Sequence, residues 1–245
     1  MGSNGFRRHL ASLDLSKAQL PKKPDQYLLQ NGTYQCDSCV PPYTVKADGQ
    51  DHKVTGYPYF DTVSVRVVND KSVEFTHKKA GKTVGTDKAT IDGTGNHLTD
   101  EFTWQPEASS KQQSGKAVST RVTKGPAGSH AISGSWRGDK IAELSQEAMT
   151  WTYKTSENGM AMKAATGESY DAKFDGKDYP YKGDPGTTSV SLKKINANTL
   201  EETDKRDGKV ISISRATVSP DAKTMKIDVD DKLHGTTASY VATKQ

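Results

Sequence analysis

The dominant period along the chain is two. "TVSVRV" places Val63, Val65 and Val67 on one face of an extended segment. "MTWTYK" does the same for Met149, Trp151 and Tyr153, and "TMKIDV" for Met225, Ile227 and Val229. Alternation of this kind marks strands with one buried face. Between such segments stand Asp48-Gly49, Asn158-Gly159, Asp175-Gly176 and Asp207-Gly208. These pairs supply the positive φ that tight hairpin turns need. No long amphipathic helix interrupts the series, so the pattern predicts an all-β meander. "SLDLSKAQL" predicts a helical turn after Ser12 or Asp14, and "PKKPDQ" an extended linker. "QPEASSKQQSGKA", residues 105–117, has the composition of a flexible loop.

The meander is used twice. The stretch from Tyr43 to Thr103 aligns without a gap on Tyr170 to Asp230, a shift of 127 residues with 17 of 61 positions identical. Lys46/Lys173, Asp48/Asp175, Gly49/Gly176, Gly56/Gly183, Pro58/Pro185, Glu74/Glu201 and Gly81/Gly208 are among them. Matching turn residues imply matching corners of the backbone. The expected organisation is an N-terminal extension over 1–30, a first repeat over 31–124 and a second over 125–245. The first repeat is expected to be truncated, with "QCDSCVPP" where the second has the hairpin around Asn158-Gly159.

Composition suits thin β layers. The chain has 245 residues, of which 32% are apolar and 7% aromatic. Two tandem barrels or one composite barrel fit this length. No apolar run approaches a membrane span. The net charge is +4, with lysines scattered rather than striped, so nucleic acid is not an expected partner. The opening "MGSNG" reads as an expression remnant, and a secreted or periplasmic protein that has shed its signal peptide is expected.

Gly134-x-Trp136, followed by up-and-down strands and short turns, resembles the lipocalin-like barrels of the calycin group. "AKFDGKDYPYKGDP" and "DKRDGKV" also look like segments of uncharacterised secreted bacterial proteins of that type. The resemblance implies a barrel of eight to ten strands, with Trp136 closing the base of the second barrel beneath a ligand cavity. The threonine-aspartate-tyrosine turn of lipocalins is absent.

Several chemistries are excluded by pattern. There is no phosphate-binding glycine loop, dinucleotide fingerprint, zinc-protease helix or nucleophile elbow. The six histidines lie far apart, and neither a metal nor a cofactor is expected. Asp-Gly-x-Asp recurs in both copies and reads as turn capping, and no carboxylate pair stands out at catalytic spacing. Ser129 and His130 are neighbours, so on a strand they point to opposite faces and make a poor nucleophile pair. The weak catalytic candidates are His130 and Arg137. Met149, Trp151, Tyr153, Met160 and Met162 suit either a core or an adaptable apolar pocket, with Trp136 and Trp104 as further walls.

Cys36 and Cys39 are the only cysteines. Their flanks, "GTYQ" and "VPPY", do not start a helix, as a thioredoxin-type pair requires. No second C-x-x-C or histidine pair completes a zinc site, and Val40 stands where a c-type haem site needs histidine. A structural disulfide is the favoured reading. Function is then open between three classes: a carrier of a small apolar or amphipathic molecule, an enzyme in the same cavity (hydratase, isomerase, cyclase or hydrolase), or a module with a filled core.

Overall fold

The computed structural model describes residues 7–105 and 110–245. They form twenty strands and almost no helix. In chain order these are β1 (Arg7–Leu13), β2 (Asp25–Gln30), β3 (Thr33–Cys36), β4 (Tyr43–Lys46), β5 (Asp48–Lys53), β6 (Thr62–Asn69) and β7 (Ser72–Lys79). There follow β8 (Lys82–Ile91), β9 (His97–Trp104), β10 (Gln113–Lys124) and β11 (Gly134–Leu144). A short helix, α1 (Gln146–Met149), leads to β12 (Thr150–Thr155), β13 (Gly159–Ala164), β14 (Ser169–Lys173) and β15 (Tyr179–Pro180). The chain ends with β16 (Ser189–Lys194), β17 (Thr199–Arg206), β18 (Lys209–Val218), β19 (Thr224–Asp231) and β20 (Thr236–Lys244).

The strands make two nearly closed antiparallel barrels in two compact units. The first runs β4-β3-β2-β11-β10-β9-β8-β7-β6-β5. The second runs β14-β13-β12-β1-β20-β19-β18-β17-β16-β15. In the second, the bridges Ser169↔Lys182 and Asp175↔Lys193 draw β14 back toward β15 and β16 and close the ring.

The internal repeat is present as geometry. β7, β8 and β9 map onto β17, β18 and β19 with every boundary shifted by 127. The ladder irregularity at His77/Lys78 recurs at Asp204/Lys205. The Lys78–Asp51 ion pair recurs as Lys205–Asp178. Gly49 and Gly176 both have positive φ (75° and 73°), which a side chain would strain. Val63 and Val65 are fully buried, as are their counterparts Val190 and Leu192. Each such side chain is worth roughly 1.5–3 kcal/mol when taken out of water. The third valine of the first set, Val67, is exposed near the end of β6, just before the ladder slips toward Asn69.

Tertiary pairing revises the expected organisation. Residues 1–30 are not a peripheral extension: β1 lies between β12 and β20, and β2 pairs with β3 and β11. The first repeat is not truncated, since the β2–β3 hairpin occupies the place of β12–β13. Its last strand, β11, occupies the place that β1 takes in the second barrel. In the second barrel that place is filled by β1, which precedes both copies in the sequence. Trp136 is deeply buried, but on β11 in the first barrel rather than at the base of the second. Its indole donates to the Ile132 carbonyl, and the Arg121 guanidinium lies 3.9 Å over its ring.

Local expectations also shift. The helical turn after Asp14 is a single 3-10 turn, Leu15–Lys17, capped by the Asp14 carboxylate at Ser16 N. Of the expected loop over 105–117, residues 106–109 lie outside the described residues, and Gln113–Ala117 are strand. Cys36 and Cys39 form a disulfide.

Candidate functional site

The second barrel contains a cavity of about 500 Å³ that opens at one end. Its walls come mainly from alternate residues of successive strands, with adjacent pairs such as Thr199/Leu200 and Thr224/Met225 at strand ends: Tyr153 and Thr155 come from β12, Met160 from β13, Leu200 and Glu202 from β17. Ser214, Ala216 and Val218 follow from β18, Met225 and Ile227 from β19, and Ala242 from β20. The period of two turns these side chains inward. β1 contributes Leu10 and Ala11, so this strand is part of the wall. The mouth is rimmed by the β16–β17 turn (Asn196, Ala197, Asn198) and the β18–β19 turn (Ala222, Lys223). Lys194 ties the rim together. Its ammonium lies 4.5 Å over the Phe174 ring and donates to the Glu157 carbonyl at 3.0 Å.

At the inner side, the apolar wall gives way to a polar cluster. Glu202 and Asp204 stand two apart on β17 and share its inward face. The Tyr170 hydroxyl donates to the Glu202 carboxylate. Burial holds Glu202 above the usual carboxylate range, with the Tyr170 hydrogen bond pulling the other way. Burial, with the nearby charges of Glu202 and Asp184, pushes Asp204 up to about 8. Like charges in a desolvated site favour retention of protons. Tyr153, Tyr170 and Tyr181 surround the pair, and burial raises all three phenols. Asp204 Oδ1 and Trp151 Nε1 are buried without a hydrogen-bond partner among the described residues. The arrangement can store a proton, accept hydrogen bonds, or hold a positive charge.

The first barrel carries a different interior. His77 Nδ1 lies 3.1 Å from Asp87 Oδ2, and the His77 ring packs against Phe60 and Trp104. Trp104 lies so close over β8 that a β-carbon on Gly85 would overlap its ring. Asp100 is pushed up to about 7 by burial and then by the Asp87 and Glu101 charges. Tyr27, Tyr34 and Tyr43 form an aromatic run beside them, stacked between Tyr27 and Tyr34 and tilted between Tyr34 and Tyr43.

The residues singled out from sequence are thus dispersed. Tyr153 and Met160 border the cavity. Met162 packs on the core beneath it, and Trp151 sets its ring edge-on to Tyr153 at 6.3 Å. Met149 ends α1 rather than extending β12. Trp136 and Trp104 belong to the first barrel. His130 is fixed in the β10–β11 connection, with Nε2 2.7 Å from the Asn69 carbonyl and Nδ1 accepting from Ile132 N. Arg137 is exposed on the outer face of β11. Neither borders the cavity.

Glu202-x-Asp204 is a carboxylate pair that sequence reading passed over. The repeat held the signal. Glu202 aligns with Phe75, a buried core residue, and Asp204 with His77. An acid at a position whose counterpart is a buried phenylalanine is an acid aimed indoors. Among the described residues, no helix is long and apolar enough to cross a membrane. Comparison with protein-family models, curated proteins and solved structures finds no match to the chain.

Proposed function

We propose that this is a secreted lipocalin-like protein whose second barrel binds a small apolar or amphipathic molecule. The cavity carries the reading. At about 500 Å³ it falls within the range of small-molecule sites, and its accessible wall is mainly apolar, with threonine, asparagine and lysine residues among its polar members. The Gly134-x-Trp136 element supports the lipocalin-like part from the first barrel, where Trp136 is a core residue. The Cys36–Cys39 bond suits an oxidising compartment. Titration with an environment-sensitive apolar dye tests the reading. One saturable site is expected, and Ala216→Trp, which fills the cavity, removes it. A panel of such dyes that fails to bind would overturn the proposal.

The Glu202–Asp204 pair favours a second reading, an acid–base enzyme in the same cavity. A carboxyl held protonated by burial can give a proton to a bound substrate, and its neighbour can take one. Native mass spectrometry of freshly purified protein separates the two readings. A carrier releases the compound it held unchanged, whereas an enzyme incubated with that compound converts it.

A further inference from the structure

Among the described residues that line the cavity, Glu202 is the sole acid. It sits three residues along β17 from Thr199 at the mouth, about 10 Å inward at strand rise. Its carboxylate receives one hydrogen bond, from Tyr170. Asp204, next on the same face, has an oxygen that receives no hydrogen bond among the described residues. Both carboxyl groups therefore keep unfilled acceptor sites at the inner end, where the Trp151 indole and the Tyr153 and Tyr181 phenols are the other donors nearby. A ligand that brings a carboxylate or a carbonyl there adds a further acceptor. One that brings an alcohol adds a single donor. A primary ammonium adds three donors and the opposite charge. The Tyr153 ring, also in the cavity wall, adds an aromatic neighbour of the kind that favours a cation. Beyond it, Met160, Phe174, Leu200 and Ile227 offer an apolar sleeve.

We infer that the cavity takes a primary organic amine, with its ammonium at Glu202 and its apolar body running toward the mouth. The inference rests on the reading of the cavity as a ligand site and names the ligand's chemical class. The lysines at the mouth do not contradict it. Lys194 is turned onto Phe174 and the Glu157 carbonyl, and Lys223 in the β18–β19 turn and Lys244 at the end of β20 are exposed, where water and salt screen them.

The test is displacement of a cavity-bound apolar dye by octylamine, octanol and octanoate at neutral pH. These share a chain length and differ only in the head group. Octylamine is expected to displace the dye at about tenfold to a hundredfold lower concentration than octanol, the range of one charge-assisted hydrogen bond. In Glu202→Gln the gap between amine and alcohol should close while octanol still competes. Equal or better displacement by octanol or octanoate would overturn the amine assignment and leave the cavity reading standing. Absence of any dye binding would overturn both. The comparison within the unmodified protein decides the matter even if Glu202→Gln fails to fold.

Discussion

The Tyr170 hydroxyl donates to the Glu202 carboxylate, joining β14 to β17, two strands that share no ladder. Tyr170 is buried and Glu202 is half-buried in the cavity wall, so water replaces this bond poorly from the tyrosine side. Tyr170→Phe should therefore leave the acid without its donor and destabilise the fold by about 1–3 kcal/mol in denaturant unfolding. Paired with Glu202→Gln in a double-mutant cycle, the two losses should not add. Additive losses would mean that the hydroxyl and the carboxylate act independently.

Stability should fall as pH rises from about 4 toward 8. Asp204 is held at about 8 in the folded protein, against 3.8 as its ordinary value. Between those values the folded chain keeps a proton that the unfolded chain has released, so folding weakens with each step up in pH. Asp100, at about 7, has the same sign. Asp92 is held down to about 2 by Thr94 and backbone donors, and acts oppositely at lower pH. Its contribution is present above its ordinary value and is lost as pH drops toward 2. Asp204→Asn should flatten the upper decline by up to about 1.4 kcal/mol per pH unit, the limit for one proton. Parallel unfolding profiles for the two proteins across this window would refute the assignment.

Removing the chain up to Leu13 should damage the second barrel selectively. β1 fills the gap between β12 and β20 and supplies Leu10 and Ala11 to the cavity wall. Without it, two long edges lose their partners and invite intermolecular pairing. Dye binding should vanish and the protein should self-associate, as read by light scattering. A truncated chain that remains monodisperse and binds dye normally would show that β1 is dispensable.

A thiol count on unfolded protein should find no free thiol without reductant and both thiols with it, from the Cys36–Cys39 bond. The loop closed is short, so the chain-entropy model assigns it about 2 kcal/mol. Cys36→Ala with Cys39→Ala should lower the unfolding free energy by that order, plus the packing lost at Cys36, a buried core residue.

The local elements and their duplication are legible in the order of residues alone. Alternation at Val63 and Val65 marked a buried face, and the shift of 127 residues carried that face intact to Val190 and Leu192. Asp-Gly pairs located the corners because few residues accept positive φ. The preference for a disulfide followed from what flanks Cys36 and Cys39. Pairing over long separations was decided only by the tertiary structure. A strand's pattern records which face is buried, not which strand lies beside it. Hence β1, read as an extension, could be the tenth strand of a barrel whose other nine begin at Thr150. Trp136 could likewise open the second repeat in sequence and sit in the first barrel in space. The site followed the same rule. Glu202 is one of many acids on an alternating strand, and only barrel closure turns its face inward toward Tyr170. There the loss of water gives two ordinary carboxyl groups their unusual affinity for protons.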